Sequence, residues 1–336
     1  MIPKAMSVMR TIAPQKLGLF QEKIPEIKNN QCLIRLERWS VCGSDIKSGW
    51  DHKKNTRGYP ICHELAGTII ETKSEKFNVG QRVIALPSPI DIGGLCEFMV
   101  GIPEYMAKIP NEGDLSSWVT CQPAGTVLYS CQQIGTIIGK KVLILGQGGI
   151  GLSFAAIFAR SGASQIICSD PIDDRLSFSK KVGATHVINP SKTSIDDAVA
   201  EITNGSMADI VIEAAGYEQT LNDAFRLVKQ YGKVIIFGMV RDGNNPSTLT
   251  SIATHYLLQN CPTIIPTVGG RSADPIAHIQ AMVDLKERGW WDPGELITHQ
   301  LPFSIAQFVI NNMHNSKYNL FIIIFFIIYK YLKCNY

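Results

Sequence analysis

The feature that most constrains the fold is the segment 141–153, which reads KVLILGQGGIGLS. An apolar strand runs directly into Gly146-x-Gly148-x-x-Gly151, and a helical pattern begins within that loop. In such a unit the first glycine makes the tight turn, the second lets the backbone approach a pyrophosphate, and the third permits close helix–strand packing. The helix N-terminus then presents free N–H groups to the phosphates. The segment therefore predicts a dinucleotide-binding loop, whose residues are Gly146, Gly148, Gly149, Ile150 and Gly151.

The pattern around this loop predicts an α/β protein with two domains. From about residue 125 to residue 239, apolar runs alternate with helical stretches, which implies a parallel, doubly wound sheet with helices on both faces. The first 120 residues instead alternate short apolar runs with Gly, Pro and Asn turn signals, which is typical of a β-rich unit. We therefore expect a discontinuous β-rich domain, residues 1–123 and 269–336, and a dinucleotide-binding domain, residues 124–268.

One acidic residue indicates which dinucleotide is bound. Asp170 ends the next predicted strand, 19 residues after Gly151, where a carboxylate would bind the ribose hydroxyls of NAD. The same carboxylate would repel a 2′-phosphate, so NAD is expected rather than NADP. The alternative is that Asp170 is a solvated residue that caps the following helix. Arg175, on that helix, is counted with the cofactor-binding residues.

Composition excludes several classes of protein. The chain has 336 residues, 45% of them apolar and 18% charged, as in a globular protein of about two domains. Its net charge of +3 comes from interspersed charges without a basic stripe, so nucleic acid is not an expected partner. Nine scattered cysteines and an N-terminus without an apolar signal core favour a reducing, cytoplasmic location.

The C-terminal segment, residues 318–336, differs from the rest of the chain. Its uncharged run from Leu320 to Tyr329 has ten residues, whereas a membrane-spanning helix needs about 20. The Ile and Phe content favours a buried strand. An aberrant, non-native end and a membrane contact are the alternatives, of which the membrane contact is the less expected.

Two separated motifs carry metal-binding side chains: SVCGSD at residues 40–45 and GYPICHELAG at residues 58–67. The second places Cys62, His63 and Glu64 in a row, although successive side chains of an extended backbone face opposite sides. With the central glycine loop, these motifs resemble the zinc-dependent alcohol dehydrogenases of the medium-chain dehydrogenase/reductase superfamily, including its sorbitol and threonine dehydrogenase branches. The resemblance runs from roughly residue 25 to residue 310 and implies a Rossmann domain plus a β-rich GroES-like catalytic domain.

The resemblance implies one catalytic zinc held by Cys42 and His63. The third ligand should lie in VTCQPAGTV, residues 119–127, where the alcohol dehydrogenase branch has a cysteine and the polyol branch a glutamate before proline. Those positions are Cys121 and Gln122, and a thiolate is the better zinc ligand, so Cys121 is favoured. Gln122 and a water-bridged or absent third ligand are the alternatives. Glu64 resembles the family's acidic neighbour of the histidine, an alternative ligand or a group that tunes the site. Cys62 stands where the family usually has glycine and is not expected to coordinate.

Further residues acquire roles from the same resemblance. Asp45 resembles the residue that holds the histidine ligand in one tautomer. Ser44 resembles the hydroxyl that begins a proton relay, and Lys47 stands where many members have a later relay histidine or is simply a solvated lysine. Cys42, Ser44, His63 and Glu64 are therefore the expected catalytic residues. The substrate pocket is expected in loops that include Trp39, Trp50 and Trp118.

The sequence also departs from the family. Most alcohol and threonine dehydrogenases carry a second, structural zinc in a lobe with four close cysteines. Here residues 82–100 carry hardly any insert and Cys96 stands alone, so no structural zinc is expected. Loss of that lobe leaves the assembly open between a homo-dimer and a homo-tetramer.

The expected function is that of a zinc-dependent, NAD-linked dehydrogenase. An alcohol held at such a zinc loses its proton readily, and hydride then passes from carbon to the nicotinamide. The expected substrate is a secondary alcohol or polyol, a small molecule. Two alternatives remain: a zinc-independent, quinone-reductase-like member of the superfamily, and a dinucleotide-binding protein without catalysis.

Overall fold

The structure is a computed structural model, and it describes residues 2–13, 16–45, 61–91, 93–239, 249–314 and 322–327, without the side chains of 311–314. Lys47 and Trp50 lie outside the described residues, as does most of the C-terminal segment. The chain divides into two compact units, residues 1–122 with 297–336, and residues 123–296.

The return to the first unit comes at Ile297 and not at residue 269, where the sequence analysis placed it. The reason is packing that the sequence does not show. The helix Pro275–Glu287 lies directly against the helix Cys121–Ile134, so closely that a Cβ on Gly125 would be 2.8 Å from Ile279 Cα. This helix therefore belongs with the second unit.

The first unit is β-rich, as predicted. Strands β1 and β2 form a separate antiparallel pair, and the larger sheet has the order β14-β15-β3-β4-β5-β7, with β6 paired to β3. Short helices α1 and α9 accompany it. The bounds are β1 Ala5–Ala13, β2 Lys16–Lys23, β3 Cys32–Ser40, β4 Glu64–Thr72, β5 Arg82–Ala85, β6 Phe98–Gly101, β7 Met106–Lys108, α1 Leu115–Val119, β14 Ile297–Pro302, α9 Ala306–His314 and β15 Ile322–Phe326.

Two of the tryptophans expected near the substrate are packing residues. Trp39 on β3 is fully buried, donates from Nε1 to Gly94 O at 3.1 Å, and lies 5.1 Å from the Phe303 ring between centroids. Trp118 is also buried and donates to Glu112 O at 2.8 Å. Because a buried Trp needs a partner for its N–H, these bonds fit a core role.

The C-terminal segment contributes a strand, as the sequence favoured. β15 lies between β14, to which it is parallel, and β3, to which it is antiparallel. Ile322 to Phe325 are buried, and each such side chain contributes about 1.5–3 kcal/mol by leaving water. The segment 322–326 is thus an integral part of the sheet. Over the ranges described above, no helix is long and apolar enough to cross a membrane.

The second unit has the predicted doubly wound parallel sheet, with strand order β10-β9-β8-β11-β12-β13. The order reverses between β8 and β11, and ligands of such sheets bind outside the carboxyl ends of the strands at this switch point. The bounds are α2 Cys121–Ile134, β8 Lys141–Leu145, α3 Gly149–Arg160, β9 Gln165–Ser169, α4 Asp173–Val182, β10 His186–Ile188, α5 Ile195–Thr203, β11 Ala208–Glu213, α6 Glu218–Leu227, β12 Val228–Ile236, α7 Thr254–Asn260, β13 Thr263–Pro266 and α8 Pro275–Glu287.

Candidate metal centre and dinucleotide site

The metal-binding side chains meet at one end of the β3–β4 pair. Ser40, which ends β3, is the direct antiparallel partner of Glu64, which begins β4. Residues just after β3 and just before β4 therefore lie close together. The ligand atoms of Cys42, His63 and Glu64 all lie within 4.8 Å of one another. In the part of the chain that the structure describes, they form the one group of this kind.

The chemistry of this group fits a zinc ion. Thiolate, imidazole and carboxylate are all zinc ligands, and three protein ligands leave the fourth position of a catalytic site open. The Glu64 carboxyl is buried, and this burial raises its pKa although the neighbouring His63 acts in the opposite direction. A divalent cation beside the carboxylate would offset that cost. Cys42, His63 and Glu64 could therefore hold the metal.

Asp45 fixes both parts of this group at once. Its Oδ1 lies 3.0 Å from His63 Nδ1, and its Oδ2 accepts the Cys42 backbone N–H at 2.9 Å. The carboxylate is 4% exposed. Desolvation lowers the pKa of His63, but the Asp45 charge and hydrogen bond outweigh it and raise that pKa well above its usual value. With Nδ1 bound to Asp45, Nε2 is the ring atom left for a metal.

Cys62 is not a member of the group, and its backbone departs from an extended conformation. Its φ of +72° lies in the left-handed region, which interrupts the alternation of an extended chain just before His63. The thiol is buried, and burial raises the pKa of Cys62 well above its usual value.

Ser44, the expected start of a proton relay, contacts a member of this group. Its hydroxyl donates to Cys42 Sγ at 3.2 Å. This contact places a hydroxyl beside the metal-binding thiol, where it could accept or pass a proton.

The implied third ligand is not a member of this group. Cys121 is fully buried at the first position of α2, and Gln122, the next residue, is 6% exposed. Cys121 is not among the side chains whose ligand atoms lie within 4.8 Å of one another. Its role as a ligand stays a prediction, and the structure offers Glu64 as the competing third donor.

Where the family has its structural zinc lobe, an aspartate organises the chain. Asp91 accepts the Gly93 N–H at 2.9 Å and the Val100 N–H at 2.7 Å, and burial raises the pKa of its carboxyl. Cys96 is buried against Val8. The expected absence of a structural zinc remains an expectation.

The glycine loop in the second unit has the close contacts that its sequence predicted. Gly146 has a φ of +92°, and a Cβ there would lie 2.9 Å from Ala215. A Cβ on Gly151 would lie 1.9 Å from Gly146 O, so this position also requires glycine. Gly148, the N-cap of α3, meets nothing within 4 Å and leaves the first N–H groups open. Gly149 and Ile150 begin this helix, and the cradle fits a phosphate.

Asp170 lies beside this loop. Its Oδ2 accepts the Gln147 N–H at 2.8 Å and its Oδ1 accepts the Ile172 N–H at 2.9 Å. Arg175 NH1 is 3.5 Å from Oδ2. The structure thus brings Asp170 and Arg175 to the glycine loop, and it supports both the ribose-binding prediction and the alternative of a local cap.

Sequence reasoning missed two buried polar residues at this edge. Gln147 donates from Nε2 to Ile144 O and Gly146 O and accepts from Ser179 Oγ. Its side chain thus connects the glycine loop to β8 and α4. Glu213 ends β11 with its side chain fully buried. The signal for Glu213 was available, because it is a charged residue at the end of an otherwise apolar strand.

Comparison with known proteins agrees with this geometry. The model of the zinc-binding dehydrogenase family matches residues 149–286, and that of the alcohol dehydrogenase GroES-like domain matches residues 28–132. L-threonine 3-dehydrogenase of Xanthomonas campestris pv. campestris is 28% identical over 267 residues, which cover 70% of this chain and 78% of the relative.

Two further proteins are similar over most of their length. An uncharacterized zinc-type alcohol dehydrogenase-like protein of Escherichia coli (strain K12) is 27% identical over 338 residues, 90% of this chain and 94% of the relative. A solved structure from Sinorhizobium meliloti, described as a zinc-binding dehydrogenase bound to NADP, has a TM-score of 0.85 at 22% identity and covers 97% of this chain and 100% of its own. That likeness shows the fold.

The two family models together span more than half of the chain and match the β-rich unit and the dinucleotide-binding unit in order. Cys42, His63 and Glu64 lie within the match to the GroES-like domain. The helix of the glycine loop begins at Gly149, where the match to the zinc-binding dehydrogenase family begins. The chain belongs to the zinc-type alcohol dehydrogenase family of the medium-chain dehydrogenases/reductases.

Proposed function

We propose that this protein is a zinc-dependent, NAD-linked dehydrogenase that transfers hydride between a secondary alcohol or polyol and the nicotinamide. The observation that carries the proposal is the group of Cys42, His63 and Glu64, with His63 held by Asp45. A zinc-independent reductase has no need for three metal-binding side chains so arranged. The names of the relatives, among them a threonine dehydrogenase, support an alcohol as substrate.

The residues would divide the work as follows. Cys42 and His63 hold the zinc, with Cys121 or Glu64 as the third ligand. When bound, zinc supplies a Lewis acid that lowers the pKa of the alcohol, and the dinucleotide supplies the hydride acceptor. Ser44, whose hydroxyl contacts Cys42 Sγ, would pass the alcohol proton onward. Asp45 keeps the imidazole in the tautomer that leaves Nε2 for the metal.

The preference for NAD rests on Asp170. Its carboxylate stands at the end of β9 beside the glycine loop, where it can accept hydrogen bonds from the ribose hydroxyls and repel a 2′-phosphate. Arg175 lies next to it and would lessen this repulsion. The similar structure from Sinorhizobium meliloti is bound to NADP. The preference for NAD is therefore tested directly by comparing the activity of this protein with NAD and with NADP.

The experiment that tests the function combines metal analysis with an activity screen. We expect about one zinc per chain in the purified protein and NAD-dependent oxidation of at least one member of a panel of alcohols, polyols, sugars and threonine. Protein without zinc that still reduces quinones would favour the zinc-independent alternative. Zinc and bound dinucleotide without turnover on the whole panel would favour a protein that has lost catalysis. A homo-dimeric or homo-tetrameric assembly belongs to the same proposal and can be measured by light scattering.

A further inference from the structure

Glu213 is a buried carboxylate at the switch point of the parallel sheet. It is the last residue of β11, pairs with Leu145 of β8, and has 0% of its surface exposed. Its backbone carbonyl accepts the N–H groups of Phe237 and Gly238, which follow β12. An acidic residue in such a place needs hydrogen-bond donors, because burying an unpartnered carboxylate is costly.

The donors come from the turn that follows β11. Glu213 Oε1 accepts the N–H of Ala215 at 3.0 Å, the N–H of Gly216 at 2.7 Å and the hydroxyl of Thr220 at 2.8 Å. Three bonds to one oxygen tie the turn and the first part of α6 back to the strand end. These bonds fix the position of the turn relative to the end of β11.

The glycine loop packs directly against this turn. A Cβ on Gly146 would lie 2.9 Å from the N, Cα and Cβ atoms of Ala215, so the first fingerprint glycine packs directly on it. The Ala214 N–H also donates to Leu145 O at 3.0 Å, one residue before Gly146. A shift of the turn would therefore move the loop that is to receive the pyrophosphate.

The other carboxylate oxygen is enclosed rather than free to move. Within the described residues, Glu213 Oε2 is buried without a hydrogen-bond partner. A Cβ on Gly238 would lie 2.4 Å from this oxygen and 2.5 Å from the Gly216 N. The glycine at 238 thus lets the carboxylate and the turn come together, and any larger residue would displace them.

We propose that Glu213 is a positioning residue for the dinucleotide: its carboxylate sets the 214–216 turn against Gly146 and thereby holds the glycine loop in the shape that binds the cofactor. The inference rests on the proposed function, because it assumes a nicotinamide dinucleotide at this loop. It adds to that function a residue that touches neither the phosphates nor the metal.

The test measures NADH binding directly, by fluorescence titration of the full chain without substrate. Glu213→Met keeps the size of the side chain and removes the acceptor, and we expect it to weaken NADH binding by about tenfold or more. Glu213→Gln keeps a carbonyl oxygen for the same three donors and should bind within about threefold of wild type. Zinc content should be unchanged in both variants, and kcat at saturating NAD should change by less than about threefold.

The outcomes separate the inference from the function on which it rests. Wild-type protein that binds neither NADH nor NADPH would overturn both. Wild-type binding that Glu213→Met leaves unchanged would overturn the inference alone, as would equal losses in Glu213→Met and Glu213→Gln. If Glu213→Met yields no folded protein, Thr220→Val removes one of the three donors from outside the sheet. We then expect about threefold weaker NADH binding, and unchanged binding would overturn the inference.

Discussion

Asp45 holds the two halves of the metal centre together, because its carboxylate contacts His63 Nδ1 at 3.0 Å and the Cys42 N–H at 2.9 Å. Partners of this kind contribute about 10–100-fold to metal affinity. We therefore expect Asp45→Ala to weaken zinc binding by about that factor, measured by competition with a chromogenic chelator. Asp173→Ala, at an exposed aspartate paired with Lys192, is the control and should bind zinc normally. Normal zinc affinity in Asp45→Ala would contradict the role.

The identity of the third zinc ligand can be decided by a pair of variants. We expect Cys121→Ser to lose zinc and activity, as Cys42→Ser and His63→Gln should, because losing one of three ligands leaves a weak site. Glu64→Gln should then keep its zinc. Retained zinc and activity in Cys121→Ser, with loss of both in Glu64→Gln, would make Glu64 the third ligand. Zinc is measured by mass spectrometry on dialysed protein, and activity on the best substrate of the panel.

Asp170 should control the choice between the two dinucleotides. Asp170→Ala removes the acceptor for the ribose hydroxyls and the negative charge that opposes a 2′-phosphate. We expect the ratio of kcat/KM for NAD to that for NADP to fall by about 10–100-fold, the effect of one or two charge-assisted hydrogen bonds. Because Asp170 also accepts the Gln147 N–H, part of the loss with NAD will come from the loop.

The control for this test is Asp174→Ala, an exposed aspartate in the first turn of α4. It changes the charge of the same region by one unit and should leave the ratio unchanged. An unchanged ratio in Asp170→Ala itself would favour the alternative in which this carboxylate only caps the turn before α4 through the Ile172 N–H.

The features that the sequence predicted are those encoded by neighbouring residues. The glycine loop is a local signal, since Gly146, Gly148 and Gly151 all lie at one junction between a strand and a helix, and the buried strand β15 follows from an uncharged apolar run. Cys42 and His63, 21 residues apart, could be joined only through a family resemblance. Their proximity comes from the pairing of β3 with β4, which no spacing rule encodes.

What the sequence left out depends on contacts between distant segments. The role of Glu213 was missed because its carboxylate binds the turn at Ala215, and this turn packs on Gly146 of a distant segment. The division of the structure at Ile297 differs from the expected return at residue 269, because α8 packs against Gly125 of α2, about 150 residues earlier in the chain. Cys62 was not expected to coordinate, but its positive φ is a backbone feature that the sequence did not predict.

Substitutions at Cys62 should affect the stability of the protein without affecting its zinc content. At a φ of +72° glycine is unstrained, cysteine is tolerated and a β-branched residue is an outlier. We expect Cys62→Gly to stay within about 1 kcal/mol of wild type, because relief of strain offsets lost burial. Cys62→Val should lose about 2–3 kcal/mol. Denaturant unfolding measures both, and wild-type zinc content in Cys62→Gly would agree with a cysteine that does not coordinate. Loss of zinc in that variant would contradict this assignment.

His278 should make stability depend on pH. It lies on α8 with 4% of its surface exposed, its ring 5.2 Å from that of Tyr129, and within the described residues its Nε2 has no hydrogen-bond partner. Burial lowers the pKa of His278 in the folded protein, although Asp274 acts in the opposite direction. As pH falls below the unfolded value of about 6.5, the unfolded chain therefore takes up a proton that the folded protein does not.

The free energy of unfolding should consequently fall with pH below about 6.5, by up to about 1.4 kcal/mol per pH unit from this one group, until the folded-state pKa is reached. His278→Phe, which keeps a ring against Tyr129, should lack this component. Urea unfolding of both proteins at pH 7.5, 6.5 and 5.5 (roughly spanning the unfolded pKa) measures the difference. His299→Asn, at an exposed histidine on β14, is the control and should keep the wild-type slope. Parallel pH profiles of wild type and His278→Phe would show that this histidine is not kept neutral by the fold.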